Sequence, residues 1–260
     1  MSTRPRKRFG QNFLEDDAVI SRIIDVIDPR EGETLVEIGP GRGAITLPLL
    51  ESGCELHSIE LDRDLAHEWR QRSLDRFTLH EHDALRFDFS TVSTAPLRLV
   101  GNLPYNISTP LLFHFMQYRH CFTDLHVMLQ KEVAERICAA PGSKAYGRLS
   151  VMLSVNFMSE VLFDVPPDAF YPEPKVTSSI IRLVPTEPEY SLDNPKVFAE
   201  VVKKAFSMRR KTLRKSLQTL CSDADFSACD IDSSLRPEVL SPAQFAHLAN
   251  YLAARPEPGA

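Results

Sequence analysis

Residues 34–43 read TLVEIGPGRG: a short, almost wholly apolar strand that runs directly into glycines at positions 39, 41 and 43. A strand that is apolar at consecutive positions needs cover on both faces, and glycines at its end let the backbone turn tightly and approach a ligand. The unit then repeats. A helix-like AITLPLLESG follows, then the strand CELHSIELD, the helix RDLAHEWRQRS, and further strands in FTLHEHDA, LRLVGN and DLHVML, with helix candidates around 111–118 and 131–139. Upstream, Val19, Ile20, Ile23, Ile24 and Ile27 recur at helical spacing before Pro29 and Gly32. Strands alternating with helices predict an α/β fold with a mostly parallel sheet.

The pattern changes near residue 160. SEVLFDV and SSIIRLVP are two strand-like runs whose proline-rich link is too short for a crossover helix, so the last strand is expected to run antiparallel. PTEPEYSLDNP reads as a linker. Beyond it Phe206, Leu213, Leu217 and Leu220 form an apolar stripe, and Ser241 with Pro242 marks a helix start. A large domain over 1–185 and a small helical one over 186–260 are expected. Five scattered cysteines without metal-ligand spacing read as reduced thiols of a cytoplasmic protein. No apolar run reaches the roughly 18 residues of a membrane span, and no long exposed apolar stripe argues against a monomer.

A net charge of −5 hides a strong segregation. Arg4, Arg6, Lys7 and Arg8 crowd the N-terminus, and Lys203, Lys204, Arg209, Arg210, Lys211, Arg214 and Lys215 lie in an acid-free stretch from Val201 to Ser222. Two cationic surfaces on an acidic body are the footprint of a bound polyanion; a solvated helix face and a basic tail are the alternative.

The chemistry gathers at strand ends. Gly39 and Gly41 close the first strand, Glu60 ends the second where an acid can accept from both ribose hydroxyls, Asp83 ends the third, and Asn102 ends the fourth. Asp83 can equally be a helix cap. Open α/β sheets bind ligands along this edge. The spacing G-x-G-x-G puts the third glycine one residue earlier than the nicotinamide pattern, and there is no phosphate-loop G-K-[ST], which turns attention to S-adenosylmethionine. The fourth strand end reads GNLPYNI. Beside a methyl donor, the Asn102 oxygen and a main-chain carbonyl at Leu103 or Pro104 suit the capture of a planar aromatic amine, whose lone pair is otherwise delocalised, and Tyr105 can stack on its ring. Metal ligands are not expected.

RKRFGQNFL, EIGPGRG, GNLPYNISTPLL, QKEVAERI, GSKAYGRLSV, FYPEPKVTSSIIRL and RRKTLRKSL together resemble the bacterial small-subunit (16S) ribosomal RNA adenine dimethyltransferases, the KsgA-like family, from about Arg6 to Leu252. The resemblance implies a Rossmann-like class I methyltransferase sheet followed by a helical domain. It implies a donor site from Asn12, Leu14, Gly39, Glu60, Asp83 and Asn102, of which Asn12 and Leu14 carry no signal of their own. It implies dimethylation of two adjacent adenosines near the 3′ end of small-subunit rRNA on an assembling small ribosomal subunit.

On the substrate side, the resemblance implies that Phe170 faces the target base opposite Tyr105; an apolar plug under a loop is the alternative. Lys144, Tyr146 and Arg148 in GSKAYGR suit RNA backbone contact or a solvated loop, and in this family context the basic helix from Lys203 to Lys215 is expected to contact phosphate. Trp69 is expected in the core. Other functions compete: a large-subunit rRNA methylase of the antibiotic-resistance type, a non-enzymatic assembly factor on the same fold and, more distantly, a nicotinamide oxidoreductase, for whose hydride transfer the glycine spacing and NLPY have no purpose.

Overall fold

The computed structural model describes residues 11–208 and 210–255. The chain divides into two compact units, 1–134 with 158–185, and 135–157 with 186–260. The boundary at 185/186 falls at the linker. Residues 135–157, assigned from the sequence to the first domain, group instead with the second unit, because their apolar side chains join a helical core.

In the first unit, strands β2 (Thr34–Ile38), β3 (Glu55–Glu60), β4 (Phe77–Glu81), β5 (Leu97–Asn102), β6 (Phe122–Gln130), β7 (Phe157–Val165) and β9 (Ser178–Pro185) form one sheet in the order β4-β3-β2-β5-β6-β9-β7. The five strands from β4 to β6 are parallel, and β9 pairs antiparallel with β6 through Gln130↔Ser178 to Leu125↔Leu183. Leu35, Val36, Glu37 and Ile38 are all buried, and since successive strand side chains point to opposite faces, β2 is covered on both. The strand order reverses between β2 and β5, which places the glycine turn and Asn102 side by side at the switch point, with Ile38 opposite Gly101.

The helices of this unit start where the sequence supplies caps. Asp16 accepts from Val19 N at 2.9 Å to open α1 (Asp17–Ile27), which buries Ile23 and Ile27. Helix α2 (Thr46–Glu51) follows the glycine turn, and Asp62 caps α3 (Arg63–Arg70), whose Leu65, Ala66 and Trp69 are buried. Helix α4 (Ser108–Gln117) follows Tyr105, and α5 (Lys131–Ile137) follows β6.

A second, two-stranded ribbon escaped the sequence reading. Strand β1 (Phe13–Leu14) pairs antiparallel with β8 (Phe170–Tyr171), with Phe13 opposite Tyr171 and Leu14 opposite Phe170.

The second unit holds α6 (Arg148–Ser154), α7 (Pro195–Ala205), α8 (Leu213–Ser216), α9 (Asp223–Ala228) and α10 (Pro242–Ala254). Helix α7 packs on α10 and α6, burying Phe198, Val201, Val202, Phe245 and Leu248. Ser241 and Gln244 close a capping box on α10 with Pro242 in its first turn, as the sequence predicts. The expected basic helix from Lys203 to Lys215 is not continuous. It ends at Ala205, where the Ser207 hydroxyl takes the Lys204 carbonyl at 2.7 Å, and Arg210 turns with φ 69° before α8 begins. Lys203, Lys204, Arg210, Lys211 and Arg214 are exposed, and Arg214 pairs with Asp223 at 2.9 Å; Arg209 lies outside the described residues, as do Arg4, Arg6, Lys7 and Arg8. Lys144 and Arg148 are exposed too, but Tyr146 between them is buried and donates to the Leu240 carbonyl at 2.9 Å, so it serves the helical core rather than RNA. No described helix is long and apolar enough to cross a membrane.

Candidate functional site: a cavity at the strand switch point

The C-terminal ends of β2, β3 and β5 open on a cavity of about 360 Å³. Its lining includes Asn12, Leu14, Gly39, Gly41, Glu60, Asp83, Asn102, Leu103, Pro104 and Tyr105, so the structure brings together every sequence-selected residue of the donor and transfer sites except Phe170.

The glycine turn is shaped from below by Trp69. Its indole N–H donates to the Gly41 carbonyl at 2.9 Å, and a Cβ placed on Gly43, where φ is 101°, would stand 2.9 Å from Trp69 Cη2. Trp69 is buried as expected, but it also braces the loop that faces the ligand, a role its helical spacing does not reveal.

Two buried carboxylates stand behind and beside this turn. Glu37 accepts from the Thr46 hydroxyl at 2.8 Å and the Ser58 hydroxyl at 2.9 Å, tying β2 to the start of α2 and to β3; burial pushes it up to about 7 against those two bonds. The sequence reading placed Glu37 in the motif without assigning it this function. Glu60, 7% exposed, is likewise held up at about 7 by burial, although the Asp62 amide donates to it at 2.7 Å. A desolvated carboxylate lining a cavity gains from hydroxyl donors on a ligand. Asp83 acts as a cap, one oxygen accepting from Leu85 N at 3.0 Å, and it also lines the cavity.

At the fourth strand end the Asn102 amide nitrogen donates to the Asn12 carbonyl at 3.1 Å. That bond identifies which end of the amide is nitrogen and uses one of its two N–H groups. Tyr105 is anchored by its hydroxyl, 2.5 Å from that of the fully buried Ser178 on β9, so what it offers is its ring. The Pro104 carbonyl accepts from Ile107 N at 3.0 Å, closing a turn.

Residues 11–15 lie as a strap over this edge. Gln11 donates to Asp62 at 3.1 Å, Phe13 lies under the Arg42 guanidinium at 4.4 Å, Glu15 pairs with Arg42 at 3.0 Å, and Glu15 N donates to the Ala169 carbonyl at 2.9 Å. The family resemblance pointed to Asn12 and Leu14; the residues between and around them hold the strap in place.

Phe170, expected opposite Tyr105, is 3% exposed, pairs with Leu14, sits in a core cluster with Leu14, Val165, Ala169 and Ile180, and does not line the cavity.

A mostly parallel sheet with an antiparallel strand inserted near one edge, and a ligand cavity at the switch point beside N-L-P-Y, defines a class I methyltransferase. The same fold occurs in a dimethyladenosine transferase from Plasmodium falciparum (TM-score 0.78, 24% identity, 91% of this chain and 95% of that one). It also occurs in the 23S rRNA methyltransferase ErmE (TM-score 0.71, 24% identity, 93% and 100%).

The chain belongs to the ribosomal RNA adenine dimethylase family, whose model matches residues 2–254. It is 54% identical over 254 residues to ribosomal RNA small subunit methyltransferase A of Aromatoleum aromaticum, covering 97% of this chain and 96% of that one. It is 52% identical over 258 residues to the protein of the same name from Pseudomonas aeruginosa, with the same coverage. The protein is an rRNA adenine dimethyltransferase using a methyl donor of the S-adenosylmethionine type.

Proposed function

We propose that this enzyme transfers methyl groups from S-adenosylmethionine to the exocyclic amines of two adjacent adenosines in a loop near the 3′ end of small-subunit rRNA, acting as a cytoplasmic monomer on an assembling small ribosomal subunit. The observation that carries the chemistry is the Asn102 amide, which lines the cavity with its nitrogen bound to the Asn12 carbonyl. The choice of small-subunit RNA rests on the names of the relatives at 54% and 52% identity.

The donor set fits S-adenosylmethionine. Glu60 would hold the ribose hydroxyls, Asp83 the adenine amine, and the backbone at Gly39 and Gly41 would lie against the donor, with Asn12 and Leu14 closing over it. Bound there, the sulfonium supplies an electrophilic methyl group. The Asn102 oxygen and the Leu103 carbonyl accept from the two N–H bonds of the target amine, which pulls its lone pair out of conjugation and aims it. Tyr105 stacks on the base, with its ring fixed by Ser178. Methylation makes the nitrogen acidic, so its proton leaves to water and no strong general base is required. After the first transfer the amine rotates to present its remaining hydrogen. Phe170, paired with Leu14, supports the wall of this pocket.

Radiolabelled donor incubated with small subunits from cells lacking this protein, and in parallel with large subunits, is expected to place dimethyladenosine in the small subunit alone. Label confined to the large subunit would overturn the substrate, and tight binding without label would leave an assembly factor.

The exposed cations Lys144, Arg148, Lys203, Lys204, Arg210, Lys211 and Arg214, with Arg209 beside them in sequence, are assigned to rRNA phosphates. Reversing Lys211 and Arg214 to Glu is expected to weaken subunit binding about tenfold or more at 100 mM salt and to flatten its salt dependence. Unchanged binding and slope would return these residues to a solvated surface.

A further inference from the structure

We infer that Tyr171 is a base-stacking platform outside the methyl-transfer pocket, holding the nucleotide next to the target adenosine; this rests on the RNA substrate proposed above. Tyr171 is 55% exposed, an unusual state for an aromatic side chain paired with a residue of the cavity lining, Phe13. Its direction follows from the ribbon. In an antiparallel pair, directly opposed residues project from the same face. Leu14 and Phe170 share the face that enters the core cluster, so Phe13 and Tyr171 share the other. Phe13 shows where that face looks: its ring lies under Arg42, and a Cβ on Gly41 would stand 3.2 Å from Phe13 Cδ1, both residues being part of the cavity lining. Tyr171 thus projects from the same face as Phe13, whose ring meets Gly41 and Arg42 of the cavity lining, while its neighbour Phe170 is buried on the other face.

The platform is also held firmly. Its backbone pairs with β1, the adjoining Ala169 carbonyl takes Glu15 N, and prolines at 172 and 174 restrict the chain that follows. Little freedom is lost when a ring so placed accepts a base. Exposed Lys175 and Val176 on the same loop supply a cation for phosphate and apolar surface beside the ring. The substrate has a matching need. An adenosine drawn into the pocket leaves its neighbour unstacked on at least one side, and an aromatic face at the rim restores that contact. Two adjacent targets make this contact serve twice, since each adenosine is the other's neighbour.

The test is steady-state methylation of small subunits lacking the modification, with the wild-type enzyme and the variants Tyr171→Ala, Tyr171→Leu and Tyr171→Phe. Loss of one base–aromatic stack is expected to raise KM for the subunit about tenfold in the Ala variant, with kcat within about twofold of wild type. Donor affinity and thermal midpoint should be unchanged. Tyr171→Leu, which keeps apolar bulk without a π face, should behave like Ala, and Tyr171→Phe like wild type. Unchanged KM in the Ala variant, recovery by Leu, or a parallel loss of donor binding and thermal stability would each overturn the proposal. A wild-type enzyme that left small subunits unmethylated would instead overturn the substrate reading on which it rests.

Discussion

Asn102→Ala is expected to lower single-turnover methyl transfer about 10³-fold, equivalent to roughly 4 kcal/mol, with subunit affinity nearly unchanged. The size follows from what the amide oxygen is asked to do. An aromatic amine is a poor nucleophile until its lone pair leaves the ring, and the hydrogen bond that enforces this is strongest in the transition state, where positive charge builds on nitrogen. Because the amide nitrogen also secures the Asn12 carbonyl at 3.1 Å, the variant is expected to lose some donor affinity through the strap, by less than about tenfold. Asn102→Asp separates the two effects: it returns an acceptor oxygen but cannot donate to Asn12. Partial recovery of transfer with donor affinity as low as in Ala is the expected pattern. An Ala variant turning over within about fivefold of wild type would sink the mechanism.

Glu60→Gln is expected to weaken donor binding by about tenfold to a hundredfold, the range for losing a charge-assisted bond, and to remove most of its pH dependence. In the free enzyme burial holds the Glu60 carboxyl at about 7, above the 4.5 of an ordinary glutamate. The free folded protein therefore prefers the protonated acid, and the stability tied to that group is full below pH 4.5 and lost as pH rises through 7. Ribose hydroxyls donating to the carboxylate favour its ionised form, so binding releases a proton below pH 7. Affinity is then expected to rise with pH from about 5.5, by at most tenfold per unit, and to level off above 7. Isothermal calorimetry in buffers of different ionisation enthalpy measures both the affinity and the released proton. Glu37 titrates in the same range and lines the same cavity, so a full slope surviving in Glu60→Gln would assign the proton to Glu37 and refute the ribose role of Glu60.

The parts of this site that were legible from sequence are those governed by local pattern. LRLVGN and SSIIRLVP coincide with β5 and β9, since consecutive apolar residues bounded by turn residues mark a strand buried on both faces. Glu60, Asp83 and Asn102 could be placed on one edge because parallel strands joined by helices end on the same side, whatever their neighbours. The inserted antiparallel β9 followed from the shortness of the link before it.

Other features were decided by contacts between segments far apart in the chain. The β1–β8 ribbon is two residues long on each side, too short for any periodicity, and exists because the strap meets the loop after β7. Residues 135–157 belong to the helical unit, where α6 packs on α7. The basic run breaks between α7 and α8 despite its helical stripe, as Leu213 N turns to the Leu235 carbonyl at 2.8 Å. The sequence by itself determined the sheet, its ligand edge, and the residue types gathered there, because strand period and chain direction are local properties. Only the tertiary structure decided that Trp69 braces the glycine turn, that Asn102 is held by Asn12, and that Tyr171 rather than Phe170 faces outward. A shift of one residue in the β1–β8 register would exchange those two aromatics, and no local preference sets that register.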